Sequence, residues 1–129
     1  MASPKTFLFL DDTKKRHDHF YRLCSNLDVI TFHAWGVRRA IHLLRDPPFG
    51  SVFDCVWLDH DLEDTGLETG YVVAEHIALH LPMSMRPRNV VIHSWNADGA
   101  IAMESILLIN GYTSVKRVPF SFKEPDETL

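Results

Sequence analysis

Five short apolar runs, Thr6 to Leu10, Val29 to Phe32, Phe53 to Leu58, Val90 to Ile92 and Ser114 to Val118, alternate with segments whose apolar residues recur at helical spacing. Nothing else in the chain constrains its fold as tightly. The runs are too short for helices and too uniformly apolar for strands with one wet face, so they predict strands buried on both sides. The intervening stripes are Phe20, Leu23, Cys24, Leu27; Val37, Ala40, Ile41, Leu44; Val73, Ala74, Ile77, Ala78, Leu81; and Ala100, Met103, Ile106, Leu107. The first two follow the i, i+3, i+4, i+7 pattern of an amphipathic helix, and the other two recur at helical spacing. Asp46-Pro47-Pro48, Leu81-Pro82 and Asn110-Gly111 supply helix stops. The order βαβαβαβαβ requires right-handed crossovers, hence a five-stranded parallel sheet between two helical layers, an α/β three-layer sandwich. At 129 residues the chain is one domain's worth. The expected core spans about residues 6–122. The stretch after the last strand is short and polar, so a fifth helix is expected to be short or absent and residues 123–129 to form a loose tail.

Charge and composition exclude several classes. With 13 Lys+Arg against 17 Asp+Glu the net charge is −4, so no bulk attraction to nucleic acid or to a membrane surface is expected. Phe7 to Leu10 falls far short of the roughly 18 apolar residues of a membrane span. The first residues lack the basic and then apolar pattern of a secretory signal, which predicts a cytoplasmic location. Cys24 and Cys55 have no CxxC spacing and read as reduced core thiols.

Ligands of open parallel sheets bind beyond the carboxyl ends of the strands. Those ends are polar here: Asp11-Asp12 after the first strand, Asp59-His60-Asp61 after the third, His93-Ser94-Trp95-Asn96 after the fourth. Aspartate and asparagine also cap helices and form turns, which accounts for single positions. It accounts poorly for several acids meeting in one crevice, where like charges raise one another's pKa. A divalent cation, Mg2+ or Mn2+, resolves the conflict, with Asp11, Asp12 and Asp59 as oxygen ligands. Ser94 and Asn96 lie where they either hold phosphate oxygens or cap the fourth helix.

These residues resemble a receiver domain of the response-regulator type. The resemblance implies a flavodoxin-like five-stranded order, Asp11 and Asp12 as the acidic pair, Asp59 as the third-strand aspartate and Ser94 as the fourth-strand hydroxyl. One position departs. Where receivers carry a lysine directly before a proline at the end of strand five, this chain has Val118-Pro119, with Lys116 two residues earlier. The segments Phe9-Leu10-Asp11-Asp12, Leu58-Asp59-His60-Asp61-Leu62, Thr69-Gly70-Tyr71 and His93-Ser94-Trp95-Asn96 together resemble the cyclic-phosphate processing receiver family. That resemblance implies action on a cyclic phosphate of a nucleotide or of an RNA 3′ end.

The expected chemistry is a metal-dependent phosphoesterase reaction, the alternative being a non-catalytic receiver-like module that signals or binds a nucleotide or partner. For the enzyme, His60 and His93 are the candidate general base and acid. Asp61 would orient a histidine or share the metal. Asp59 is either a metal ligand or a nucleophile that forms an aspartyl phosphate, and water attack is favoured because the strand-five lysine is missing. Elsewhere, His76 and His80 read as a solvated helix face. His17 and His19 read as surface, with His17 able to lean toward the crevice. Arg16, Arg38 and Arg39 are solvated charges or recruit an anion. Trp35 and Trp95 either stack on a base or pack over the sheet end. The Val118-Pro119 bond is expected to be cis, as the corresponding bond is in receivers.

Overall fold

The computed structural model describes residues 4–62, 68–94 and 96–118. Along the chain come β1 (Lys5–Leu10), α1 (Lys14–Cys24), β2 (Val29–Ala34), α2 (Val37–Arg45), β3 (Cys55–Leu58), α3 (Gly70–Leu79), β4 (Asn89–His93), α4 (Ala97–Ile109) and β5 (Val115–Val118). Short 3-10 turns occupy Pro48–Gly50 and Met83–Met85. The five strands pair in parallel in the order β2-β1-β3-β4-β5, the flavodoxin-like order expected. In this order β1 and β3 are neighbours although α1, β2 and α2 separate them in the chain. Their carboxyl ends open onto the switch point where ligands of such sheets bind.

Side-chain alternation divides the sheet into two chemically different faces. Leu8, Leu10, Ala34, Val56, Leu58, Val90 and Ile92 point into an aliphatic core closed by α2, α3 and α4. Phe7, Phe9, Cys55, Trp57 and Val91 point to the other side and meet Phe20 and Cys24 of α1. That face is aromatic: Phe20 stacks on Phe9 at 4.4 Å between ring centroids and meets Trp57 at 4.9 Å. Both cysteines are buried free thiols, as expected, and burial pushes the Cys24 thiol up to about 12.

Every strand differs from the sequence reading at one end or both: β1 begins one residue earlier, at Lys5, and β5 one residue later, at Val115, and the other three differ with a structural reason. β2 continues through His33 and Ala34 because its pairing with β1 runs on to Leu10 and Ala34. β4 takes in Asn89 and His93, so His93 is the last residue of a strand and not the first of a loop. β3 begins only at Cys55, since Asp54 ties itself to the neighbouring strand through both its backbone and its side chain. Its N–H donates to Thr6 O at 2.9 Å, and its Oδ2 accepts from Thr6 N at 2.9 Å. The expected tail, any fifth helix and the Val118-Pro119 bond lie outside the described residues. No helix among the described residues is long and apolar enough to cross a membrane.

Since α1 is anchored by the Phe20 ring between Phe9 and Trp57, Phe20→Ala is expected to cost about 3–5 kcal/mol in urea unfolding. A loss under about 1 kcal/mol would mean that the α1 face does not depend on that stack.

Candidate functional site

The site begins with what parallel pairing does to β1 and β3. Leu10 and Leu58 are partners, so the next residue of each strand, Asp11 and Asp59, comes to one edge. The ladder carries them there: Asp11 N–H donates to Ala34 O and Asp59 N–H to Leu10 O, each at 3.2 Å. Both side chains continue the α1-facing parity and both residues are buried, at 0% and 3% exposure. Carboxylate oxygens of Asp11, Asp12 and Asp59 all lie within 4.8 Å of one another.

Turn formation accounts for part of this cluster. Asp11 Oδ1 accepts the Thr13 N–H at 2.8 Å, an Asx turn leading into α1. Asp11 Oδ2 accepts from Arg16 Nε at 2.7 Å. The same guanidinium places Nη2 3.6 Å from Asp12 Oδ1 and 3.6 Å from Asp59 Oδ2. Arg16 is therefore not a solvated surface charge but the cation that faces all three acids. It leaves Asp59 poorly served, because Asp59 Oδ2 is buried without a hydrogen-bond partner among the described residues. Burial, and after it the Asp11 carboxylate, push the Asp59 carboxyl up to about 8 against the pull of Arg16. A buried carboxylate oxygen lacking a donor, beside two further carboxylates, is the donor set that a hard divalent cation takes. The three residues fit that group.

Beneath the acids lies a column of rings. His93, 2% exposed, stacks on Phe9 at 4.9 Å and 5° between planes, with Nδ1 3.7 Å from Asp11 Oδ2. Burial and then the charge of Arg16 drive its pKa down to about 3, so it is neutral at pH 7. His17, expected at the surface or leaning toward the crevice, is buried. Its Nε2–H donates to Asp11 O at 2.8 Å, and its ring stacks under Trp35 at 3.8 Å. His17 Nδ1 is 2.7 Å from His33 Nδ1, and His33 Nε2 is 3.1 Å from Thr31 Oγ1. Burial lowers the pKa of His17, and burial with His17 lowers that of His33 to about 4. With both rings neutral, one direction satisfies the chain: Thr31 O–H to His33 Nε2, His33 Nδ1–H to His17 Nδ1, His17 Nε2–H to Asp11 O. His33 is the site neighbour that sequence reasoning missed. Its signal was parity, since it lies two residues beyond Thr31 on the α1-facing side of β2.

A second polar group reaches the edge from the opposite parity. His60 Nδ1 is 2.8 Å from Asp61 Oδ1, and Asn96 Nδ2 is 3.4 Å from each of those atoms. Asn96 also caps α4, its Oδ1 accepting the Gly99 N–H at 2.8 Å. The His60 ring packs flush on the first turn of α4, where a Cβ on Gly99 would meet the ring at 2.5 Å. Gly70 serves the same purpose at the start of α3: a Cβ there would lie 1.8 Å from Asp59 O. Its N–H donates to His60 O at 2.8 Å. The His60 hydrogen bond holds the Asp61 carboxyl below the usual range.

The remaining candidates divide. Ser94 is half-buried and its Oγ accepts the Asn96 N–H at 3.1 Å, which leaves the hydroxyl hydrogen to donate elsewhere. Trp35 is 41% exposed beside the acids. Trp95 lies outside the described residues. Arg38 and Arg39 are exposed on α2. His80 is exposed as expected, whereas His76 is half-buried and its pKa is lowered by burial and by Arg45. Val118 pairs with His93 at the sheet edge, and Lys116 pairs with Val91, level with Trp57 and one strand repeat below the acids.

The buried Asp59 has a stability signature. Its folded pKa, about 8, stands above its ordinary 3.8, so the folded state holds the proton longer and stability falls as pH rises through that window. With divalent ions chelated, Asp59→Asn is expected to be more stable than the parent at pH 8 by about 5 kcal/mol. The difference should vanish toward pH 4 in denaturant unfolding. A constant difference across that range would show that Asp59 carries no such shift.

Comparison with solved structures places the fold among receivers. The signal receiver domain of an HD domain-containing protein from Pseudomonas fluorescens Pf-5 matches at TM-score 0.72 and 13% identity, over 98% of this chain and 83% of that one. The receiver domain of NtrX from Brucella abortus matches at TM-score 0.67 and 20% identity, over 95% and 90%. A response regulator from Burkholderia pseudomallei, solved with a phosphorylated aspartic acid, calcium ion and citrate, matches at TM-score 0.63 and 17% identity. This chain covers 59% of that protein, which covers 88% of this chain. No curated protein sequence matches. The model of one family does match, over residues 6–108, a span that contains the acidic cluster, the His60-Asp61 pair and Asn96. The chain thus belongs to the cyclic-phosphate processing receiver domain family.

Proposed function

We propose that this receiver domain is a metal-dependent phosphoesterase that opens a cyclic phosphate on a nucleotide or on an RNA 3′ end. The observation that carries the reading is the His60–Asp61 pair, held by Asn96 and seated on Gly99 beside the acidic cluster. A phosphorylation switch has no use for an oriented imidazole at that place, whereas ester hydrolysis needs a proton acceptor and donor there.

Asp11, Asp12 and Asp59 would hold Mg2+ or Mn2+. When bound, the cation would neutralise charge on the phosphoryl oxygens and favour ionisation of water. Asp61 engages His60 Nδ1, so Nε2 is the nitrogen that takes a proton from the attacking water and returns one to the departing ribose oxygen. His93 contributes otherwise than as an acid, since a ring with a pKa of about 3 holds no proton to give near neutrality; it lines Asp11 with a neutral surface. Ser94 offers its hydroxyl hydrogen to a phosphoryl oxygen. Asn96 orients His60 and Asp61 and caps α4, and so acts on substrate through them. Exposed Trp35 gives a base a ring to lie on.

One observation favours a second reading, a module that accepts a phosphoryl group without turnover. Asp59 holds the position of the receiver aspartate, and the Burkholderia response regulator carries a phosphorylated aspartic acid with a calcium ion. Val118 at the strand-five position weighs against it, because no lysine is present there to stabilise an aspartyl phosphate.

The test is turnover by the purified protein in Mn2+ or Mg2+ on 2′,3′-cyclic, 3′,5′-cyclic and linear nucleotides. One cyclic class is expected to open, Asp59→Asn to be silent, and His60→Ala to lose about 10²–10⁴-fold in kcat. Mn2+ at millimolar concentration is expected to raise the thermal midpoint of the parent and not of Asp59→Asn. Silence on every cyclic ester together with labelling of Asp59 by acetyl phosphate would select the second reading.

A further inference from the structure

Arg16 faces three acids with one charge. Its Nε makes a short contact to Asp11 Oδ2, 2.7 Å, but its Nη2 stands 3.6 Å from both Asp12 and Asp59, beyond good hydrogen-bond length. A planar fork cannot align with three carboxylates at once, and a single positive charge cannot balance them. The oxygens it touches are those a divalent cation would take, so guanidinium and cation compete for Asp11 Oδ2 in particular. The side chain is attached to the first turn of α1 and is 23% exposed, which gives it a way out toward the rim. Strand five, meanwhile, presents Val118 at the site and Lys116 one repeat below it.

We propose that Arg16 is the resident counter-charge of the acidic site, displaced from the carboxylates by a divalent cation and then turned onto the phosphate of the substrate in place of the missing strand-five lysine. The proposal rests on the metal-binding half of the function proposed above. It gives the site two states. Without metal, Arg16 limits the repulsion that three converging acids impose on the fold. With metal, the same guanidinium offers paired N–H donors whose spacing matches two phosphate oxygens. Arg16 would then bind substrate from the α1 side of the crevice, opposite His60.

The experiment is calorimetric titration of the full chain and of Arg16→Met and Arg16→Lys, first with Mn2+ alone and then with inorganic phosphate in saturating Mg2+. Arg16→Met keeps the apolar stem and removes the competitor, so Mn2+ affinity is expected to rise about tenfold or more. Phosphate affinity in Mg2+ is expected to fall about tenfold. Arg16→Lys retains the charge without the fork: Mn2+ affinity should stay within about twofold of the parent while phosphate binding weakens. This variant keeps the test decisive if Arg16→Met does not fold without metal. Mn2+ affinity that is unchanged or weaker in Arg16→Met would overturn the competition. Phosphate affinity unchanged in either variant, or no phosphate binding by the parent, would overturn the transfer to substrate. If neither parent nor Arg16→Met binds Mn2+, the metal reading fails and the proposal with it, whereas equal binding by the two overturns the proposal alone.

Discussion

Convergence of three acids, two of them buried, at the ends of two adjacent strands is the constraint around which the polar half of this molecule is organised. The strand order makes it unavoidable, since β1 and β3 share a ladder and each is followed at once by an aspartate. The neighbouring side chains read as responses to that charge. Arg16 reaches back from α1, the Asx turn occupies one oxygen of Asp11, and the histidines below are neutral rings that hold the cluster in place without adding counter-charge. What remains uncompensated among the described residues is the buried Oδ2 of Asp59.

Sheet parity explains why the acidic cluster and the group of His60, Asp61 and Asn96 do not merge. Asp59 continues the α1-facing set, whereas His60, the next residue, turns toward α3 and α4. The first group therefore rests on the aromatic face and the second on the aliphatic one, and they meet only at the rim. A phosphate ester placed across the edge would have carboxylates and Arg16 on one flank and imidazole on the other. The two glycines mark how closely this is built: helix backbones press on Asp59 O and on the His60 ring with no space for a methyl group.

Fold class and the acidic cluster were legible in the sequence because both follow from local pattern. Apolar periodicity separates strands from helices, and a parallel sheet brings its strand ends to one edge whatever the register. Contacts that depend on register or on a side chain's reach were not legible. His17 opens a helix in a charged segment, and only the aromatic floor supplied by Phe9 and Phe20 makes burial favourable there. His33 was hidden by ending β2 at Phe32, for a histidine after an apolar run resembles a loop residue until pairing with β1 carries the strand onward. Arg16 was one of several helix arginines, and nothing local to it announces that Asp59, far along the chain, completes its set of partners.

The ring column has a consequence of another kind. His93 lies nearly parallel over Phe9, and His17 meets Phe9 edge-on while it stacks on Trp35, so their imidazole protons feel strong aromatic ring currents while contacting Asp11. Rings held this way translate a small change in carboxylate geometry into a change of magnetic environment. The protein thereby carries its own resonant probes under the site, in positions that solvent does not reach.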